Sequence, residues 1–124
     1  MNICVTSQGD NLYSLVDPRF GRCQYFIIIN PNTLDFEVVQ NPSISAGGGA
    51  GIQSGQLMVN KGVEAVLTGN VGPNAFATLQ AAGIKVIVGV TGMVREAIEK
   101  YKKGELKDTQ GPSVGSKFGL SGKE

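Results

Sequence analysis

The chain predicts an α/β fold in which a five-stranded mixed sheet is flanked by three helices. Two observations carry that expectation. Residues 1 to 40 hold short β-branched and aromatic runs separated by turn signals, as a strand meander does. From about residue 51 the pattern changes to helical periodicity alternating with short apolar runs, the mark of parallel strands joined by crossover helices. Between the halves lies a glycine loop, Gly47-Gly48-Gly49-Ala50-Gly51, that runs straight into a helix.

In order, Ile3-Cys4-Val5-Thr6 reads as the first strand, and residues 7 to 19 as a polar loop with turn signals at Gly9-Asp10-Asn11 and Asp17-Pro18. Tyr25-Phe26-Ile27-Ile28-Ile29 is apolar throughout, so it should be buried on both faces. Asn30-Pro31-Asn32-Thr33 turns the chain into Leu34–Val39, which mixes apolar and acidic residues as an edge strand with a wet face should. The first helix is expected over 51 to 61, with Gly62 as the glycine past its C-terminus. Glu64–Thr68 is the fourth strand. Pro73 suits the opening position of a second helix whose inward residues are Phe76, Leu79 and Ala82. Ile84–Val88 is the fifth strand. Thr91 is the expected cap of a third helix carrying Val94, Ala97, Ile98 and Tyr101 at i, i+3, i+4 and i+7, with Glu96–Lys100 and Glu99–Lys103 as i,i+4 pairs. Residues 1–107 thus form one domain, and 108–124, rich in Gly, Ser and Lys, are expected to form a disordered tail.

Composition narrows the function classes. A chain of 124 residues with 41% hydrophobic and 17% charged residues suits one globular domain. A net charge of +1 gives no basic stripe for nucleic acid, and no apolar run has the length of a membrane span. Two cysteines cannot form a disulfide framework, which points to a reducing cytoplasm. The absence of histidine removes the commonest transition-metal ligand and the usual general base.

With short connections and right-handed crossovers, the simplest strand order is 3-2-1-4-5, the ribonuclease H-like arrangement. It brings the loops 7–23, 41–51, 69–73 and 89–92 to one edge, with three helix N-termini beside Arg19 and Arg22. Unpaired N–H groups and the positive end of a helix dipole attract anions. Nucleotide fingerprints fail: the loop lacks the Lys-Ser/Thr of a P-loop and does not match G-x-G-x-x-G. Asp10 and Asp17 are too few for a metal-dependent nuclease, and no nucleophile–base pair stands out, so no enzyme is expected.

Individual residues keep two readings each. Cys4, between Ile3 and Val5, reads as core. Cys23 follows two arginines that would stabilise a thiolate, so packing and metal ligation both stand. Arg19 and Arg22 favour anion contact over mere solvation. Asn74 reads as a local turn residue, while Asn70 and Gln53 fit either a structural or a ligand role. Gly55 reads as allowing close helix–sheet approach. The candidate binding set is therefore Arg19, Gly21, Arg22, Cys23, Gly47, Gly48, Gly49, Gly51, Gln53, Asn70, Gly72 and Thr91, with Cys23 as the candidate metal ligand.

Four segments in order, Phe20–Phe26, Gly49–Gln53, Gly69–Phe76 and Ala82–Val86, resemble the dinitrogenase iron–molybdenum cofactor biosynthesis family over residues 1 to about 107. The resemblance implies a ribonuclease H-like fold and non-covalent binding of an anionic iron–sulfur or molybdenum-containing metal–sulfur cluster. It also implies a cluster donor or acceptor protein as partner. Members often carry a histidine before Phe-Gly-Arg; here Arg19 stands there, which argues against direct ligation at that place. The expectation is a cytoplasmic, non-catalytic cluster carrier or binding protein. The alternative is a regulatory module for a phosphate-bearing metabolite or a protein partner.

Overall fold

In the computed structural model, which describes residues 1–42 and 49–113, β1 (Ile3–Ser7), β2 (Tyr25–Ile29) and β3 (Phe36–Gln40) form an antiparallel meander. On the other side of β1, β4 (Ala65–Leu67) and then β5 (Lys85–Ile87) add in parallel, giving the order β3-β2-β1-β4-β5. The strand order and the mixed α/β architecture are those the sequence predicts. β1 and β2, apolar nearly throughout, take interior positions; β3, with Glu37 and an exposed Phe36, takes the edge. β4 and β5 are shorter than expected, yet hydrogen bonding runs on past their ends, from Lys85 N–H to Glu64 O (3.0 Å) and from Thr68 N–H to Ile87 O (3.0 Å).

The strand alternation divides the core between two faces. Cys4, Phe26, Ile28, Val66 and Val86 pack with Met58 of α1 (Ala50–Lys61) and with Ala75, Phe76 and Leu79 of α2 (Pro73–Ala81). Ile3, Val5, Ile27, Ile29, Leu67 and Ile87 pack with Val94, Ala97 and Ile98 of α3 (Val94–Lys102). Fully burying each of the large ones, such as Phe26, Ile28, Met58 and Leu79, contributes about 1.5–3 kcal/mol, so both layers anchor their helices firmly. Gly62 does end α1 in the left-handed conformation at φ 67.

Register fixes where the loops fall. Ser7 lies opposite Tyr25, Tyr25 opposite Gln40, and Leu67 opposite both Val5 and Ile87. The C-terminal ends of β1, β3, β4 and β5 therefore share one edge, as expected from the connection lengths.

Local details depart from expectation at several points. Ala82, expected as an inward residue of α2, is exposed just past its end. α1 and α2 approach each other at Gly55: a Cβ there would lie 2.8 Å from Thr78 Cγ2, so this glycine serves helix–helix rather than helix–sheet contact. On α3, Glu99 meets Lys102 at 4.0 Å, one residue short of Lys103, and Glu96 turns back to the helix start instead of reaching Lys100. The start of the presumed tail is fastened down. Residues 85 and 87 bond inward to β4, which leaves the Val86 carbonyl on the outer edge, and the Thr109 N–H fills it at 2.7 Å. Ser113 donates its N–H to Val71 O (2.8 Å) and accepts the Val71 N–H on Oγ (2.9 Å). Within 109 to 113 the chain is thus hydrogen-bonded to the domain; residues 114–124 lie outside the described residues.

Candidate functional site

The loop between β1 and β2 sits over the upper ends of β1 and β4, held from within and below. Phe20 and Cys23 insert into the α1/α2 core, with the Phe20 ring 5.8 Å from that of Phe26. Between them Gly21 takes φ 92 and lies so close to α1 that a Cβ would stand 3.2 Å from Gly51 Cα. Gly51 in turn faces Ala75 of α2, where a Cβ would meet Ala75 Cβ at 3.2 Å. Asn41, buried after β3, donates from Nδ2 to Gly21 O (3.0 Å) and Cys23 O (2.9 Å). Asn70 ties the same loop from the other side, accepting the Phe20 N–H at 3.2 Å and donating Nδ2–H to Pro18 O at 3.3 Å. The loop bearing Arg19 and Arg22, the first turn of α1 and the start of α2 thus converge on one corner.

The three helix starts on this edge differ in what they offer. On α1, the N–H groups of Ala50, Gly51 and Ile52 precede the first intrahelical bond, Gln53 N–H to Gly49 O (3.0 Å), and meet no backbone acceptor among the described residues. On α2, Pro73 has no N–H, and Asn74 and Ala75 precede the bond from Phe76 N–H to Gly72 O (3.0 Å). α3 is closed: Met93 donates to Glu96 Oε1 (2.9 Å), Val94 to Ser14 O (2.9 Å) and Arg95 to Leu12 O (2.8 Å). The corner between α1 and α2 therefore gathers N–H donors that meet no backbone acceptor among the described residues, beside the half-exposed Arg19 guanidinium. Among the described residues no three His, Cys, Asp or Glu side chains gather as a metal site.

The sequence profile of the family described as dinitrogenase iron-molybdenum cofactor matches residues 1–104. The chain belongs to this family. An uncharacterised protein of Methanocaldococcus jannaschii is 32% identical over 94 residues, spanning 73% of this chain and 80% of the relative. Among solved structures, the apo form of the orange protein from Desulfovibrio gigas is 40% identical, with a TM-score of 0.88 over 91% of this chain and 96% of the other. A NifB-like protein of the DUF35 family from Thermotoga is also 40% identical, with a TM-score of 0.78 over 91% and 97%.

For this dinitrogenase iron-molybdenum cofactor family member, the sequence-derived residues divide clearly. Arg19, Gly21, Arg22, Gly49, Gly51, Asn70 and Gly72 lie on the converging loops and helix starts. Gln53 is exposed on the first turn of α1. Gly47 and Gly48 lie outside the described residues. Gly21, Gly51 and Asn70 have structural duties that account for them: two close backbone approaches and a loop clasp. Thr91 is overturned as a cap: it is exposed, Met93 takes the capping position, and Glu96 supplies the acceptor. Cys23 is overturned as an accessible thiolate. It has no exposed surface, and burial, then the charges of Cys4 and Asp17, push its thiol well up from the usual range. The neighbouring arginines suggested the opposite because their charge is legible in the sequence while the direction of the Cys23 side chain is not. Cys4 is buried beneath the same helices, as expected, and its thiol is pushed up by burial. The sequence reading missed Asn41 as a site-building residue; only its place directly after an apolar strand hinted at it.

Proposed function

We propose that this protein is a non-catalytic, cytoplasmic carrier of an anionic metal–sulfur cluster, related to nitrogenase cofactor assembly. The cluster docks at the corner where α1 and α2 begin. The observation that carries this reading is the pairing of two helix starts, whose first N–H groups meet no backbone acceptor among the described residues, with Arg19 and Arg22 close by, in a family whose description names the iron-molybdenum cofactor. N–H and guanidinium donors suit the sulfur and net negative charge of such a cluster without supplying a metal ligand. Cluster capture by outer hydrogen bonds keeps the metal coordination intact, which suits cargo received from a donor protein and passed to an acceptor. The sheet order fits the ribonuclease H-like class, here used as a binding frame rather than a nuclease.

The test is anaerobic titration of the protein with a soluble thiolate-ligated cubane iron–sulfur cluster, followed by absorbance, with inorganic phosphate as competitor. Uptake that phosphate displaces only weakly is the expected result. Each arginine donates charge-assisted hydrogen bonds worth about 1.5–3 kcal/mol, so Arg19→Ala and Arg22→Ala should each weaken uptake by roughly tenfold or more. Cys23→Ala should leave it unchanged, since that thiol is walled into the core. Failure of the parent protein to take up cluster, with phosphate bound at the same loops, would overturn the carrier reading in favour of a phosphate-metabolite module.

A further inference from the structure

A site that attracts anions has a buried carboxylate at its centre. Asp17 is 2% exposed, beside the very loop that presents the arginines. A carboxylate taken out of water is unfavourable unless its lone pairs are met by donors and its charge by a cation. Asp17 has both. Its Oδ1 accepts the Arg19 N–H at 3.0 Å and lies 3.4 Å from Arg19 Nε, and its Oδ2 accepts the Gln24 N–H at 3.3 Å. One carboxylate thereby gathers both ends of the 19–24 loop.

The carboxylate is itself fixed to the sheet. The Asp17 N–H donates to Thr6 O at 2.9 Å, and its carbonyl accepts the Thr6 hydroxyl at 2.6 Å. The Thr68 hydroxyl lies 2.8 Å from that of Thr6 and 3.5 Å from the same carbonyl. Thr6 and Thr68 are buried at the upper ends of β1 and β4, so the residue is anchored where the two central parallel strands end.

Arginine presents its donors along distinct edges. In Arg19 the Nε edge is turned to Asp17, while the Nη nitrogens meet no protein acceptor among the described residues and the side chain is 40% exposed. We infer that Asp17 is the positioning residue of the anion corner: it grips Arg19 by its backbone and Nε, and so aims the Nη pair outward in one pose. The inference rests on the carrier reading above. Its physical consequence is that Arg19 acts by direction rather than by net charge, because its own charge is largely matched by the carboxylate behind it.

The test combines a ligand-free signature with a double-mutant cycle. In the free parent protein, the Arg19 Nε–H resonance should be shifted and slow to exchange, and Asp17→Asn should collapse it to the solvent-exposed position. In cluster titrations, Asp17→Asn should weaken uptake roughly threefold to tenfold in the parent background and less than twofold in the Arg19→Ala background, the non-additivity of a residue acting through its neighbour. Arg19→Lys keeps the charge but cannot be gripped through Nε, so it should lose as much as Arg19→Ala; this arm stands even if Asp17→Asn fails to fold. Equal losses in both backgrounds, tighter uptake by Asp17→Asn, or full uptake by Arg19→Lys would overturn the inference. If the parent takes up no cluster, the carrier reading fails, and an exposed, fast-exchanging Arg19 Nε–H would sink the positioning role separately.

Discussion

At one edge of the sheet, α1 and α2 begin on one face and α3 on the other, and the two faces finish their helix starts in opposite ways. On the α3 side, the loop from Leu12 to Ser14 and the Glu96 carboxylate consume the first N–H groups. On the α1/α2 side, close packing of Gly21, Gly51 and Ala75 brings two helix starts together and leaves their N–H groups without such partners among the described residues. Having a helix N-terminus at the strand ends is therefore insufficient to make a binding corner. What matters is whether the chain's own carbonyls and carboxylates arrive first.

The largest effect on this contrast is expected from Gly55→Val. A Cβ at that place already crowds Thr78 at 2.8 Å, and overpacking of this kind costs about 1–3 kcal/mol. Thermal unfolding should report a midpoint several degrees lower, and cluster uptake should fall as α1 and α2 part; an unchanged midpoint would show that the helix contact yields freely. On the closed side, Glu96→Ala removes the acceptor for Met93 N–H, worth roughly 0.5–2 kcal/mol as a lost cap. It should lower the midpoint by a few degrees while leaving uptake intact. Loss of uptake in this variant would erase the distinction between the two faces.

The smallest effect belongs to Tyr101, which lies on the α3 side. Its hydroxyl donates to Glu64 Oε2 at 2.7 Å, and burial, followed by that bond and the Glu64 charge, pushes its pKa from 10.0 up to about 12. The folded state holds the phenol proton more tightly than the unfolded chain does. The resulting stabilisation is complete below pH 10 and is lost as pH rises toward 12. Denaturant titrations of Tyr101→Phe should show a shallower stability loss across that interval than the parent protein; parallel curves would mean that the phenol adds nothing to folding.

The strand order, the paired layers and the shared loop edge were legible because they follow from periodicity and connection length. Ile27 and Ile29 alternate with Phe26 and Ile28, and Pro73 fits the opening of a helix but not its interior, whatever surrounds them. The burial of Cys23, the cap of α3 and the bonding of residues 109 to 113 were not legible for a common reason. Each depends on a partner far away in sequence: the α1/α2 core around Cys23, the Ser14 and Leu12 carbonyls at α3, and the outer edge of β5 at Thr109. Asp17 is the sharpest case, since nothing local says that a loop aspartate will sit over the ends of β1 and β4. The sequence by itself determined which segments are strands and helices and the apolar stripes they bury, though not their last residues, as Ala82 shows, because backbone preference and amphipathic period act over a few residues. The tertiary structure alone decided which N–H groups find acceptors among the described residues, which thiol is sealed and which charge meets Arg19, because hydrogen-bond satisfaction is settled only when distant chain segments meet.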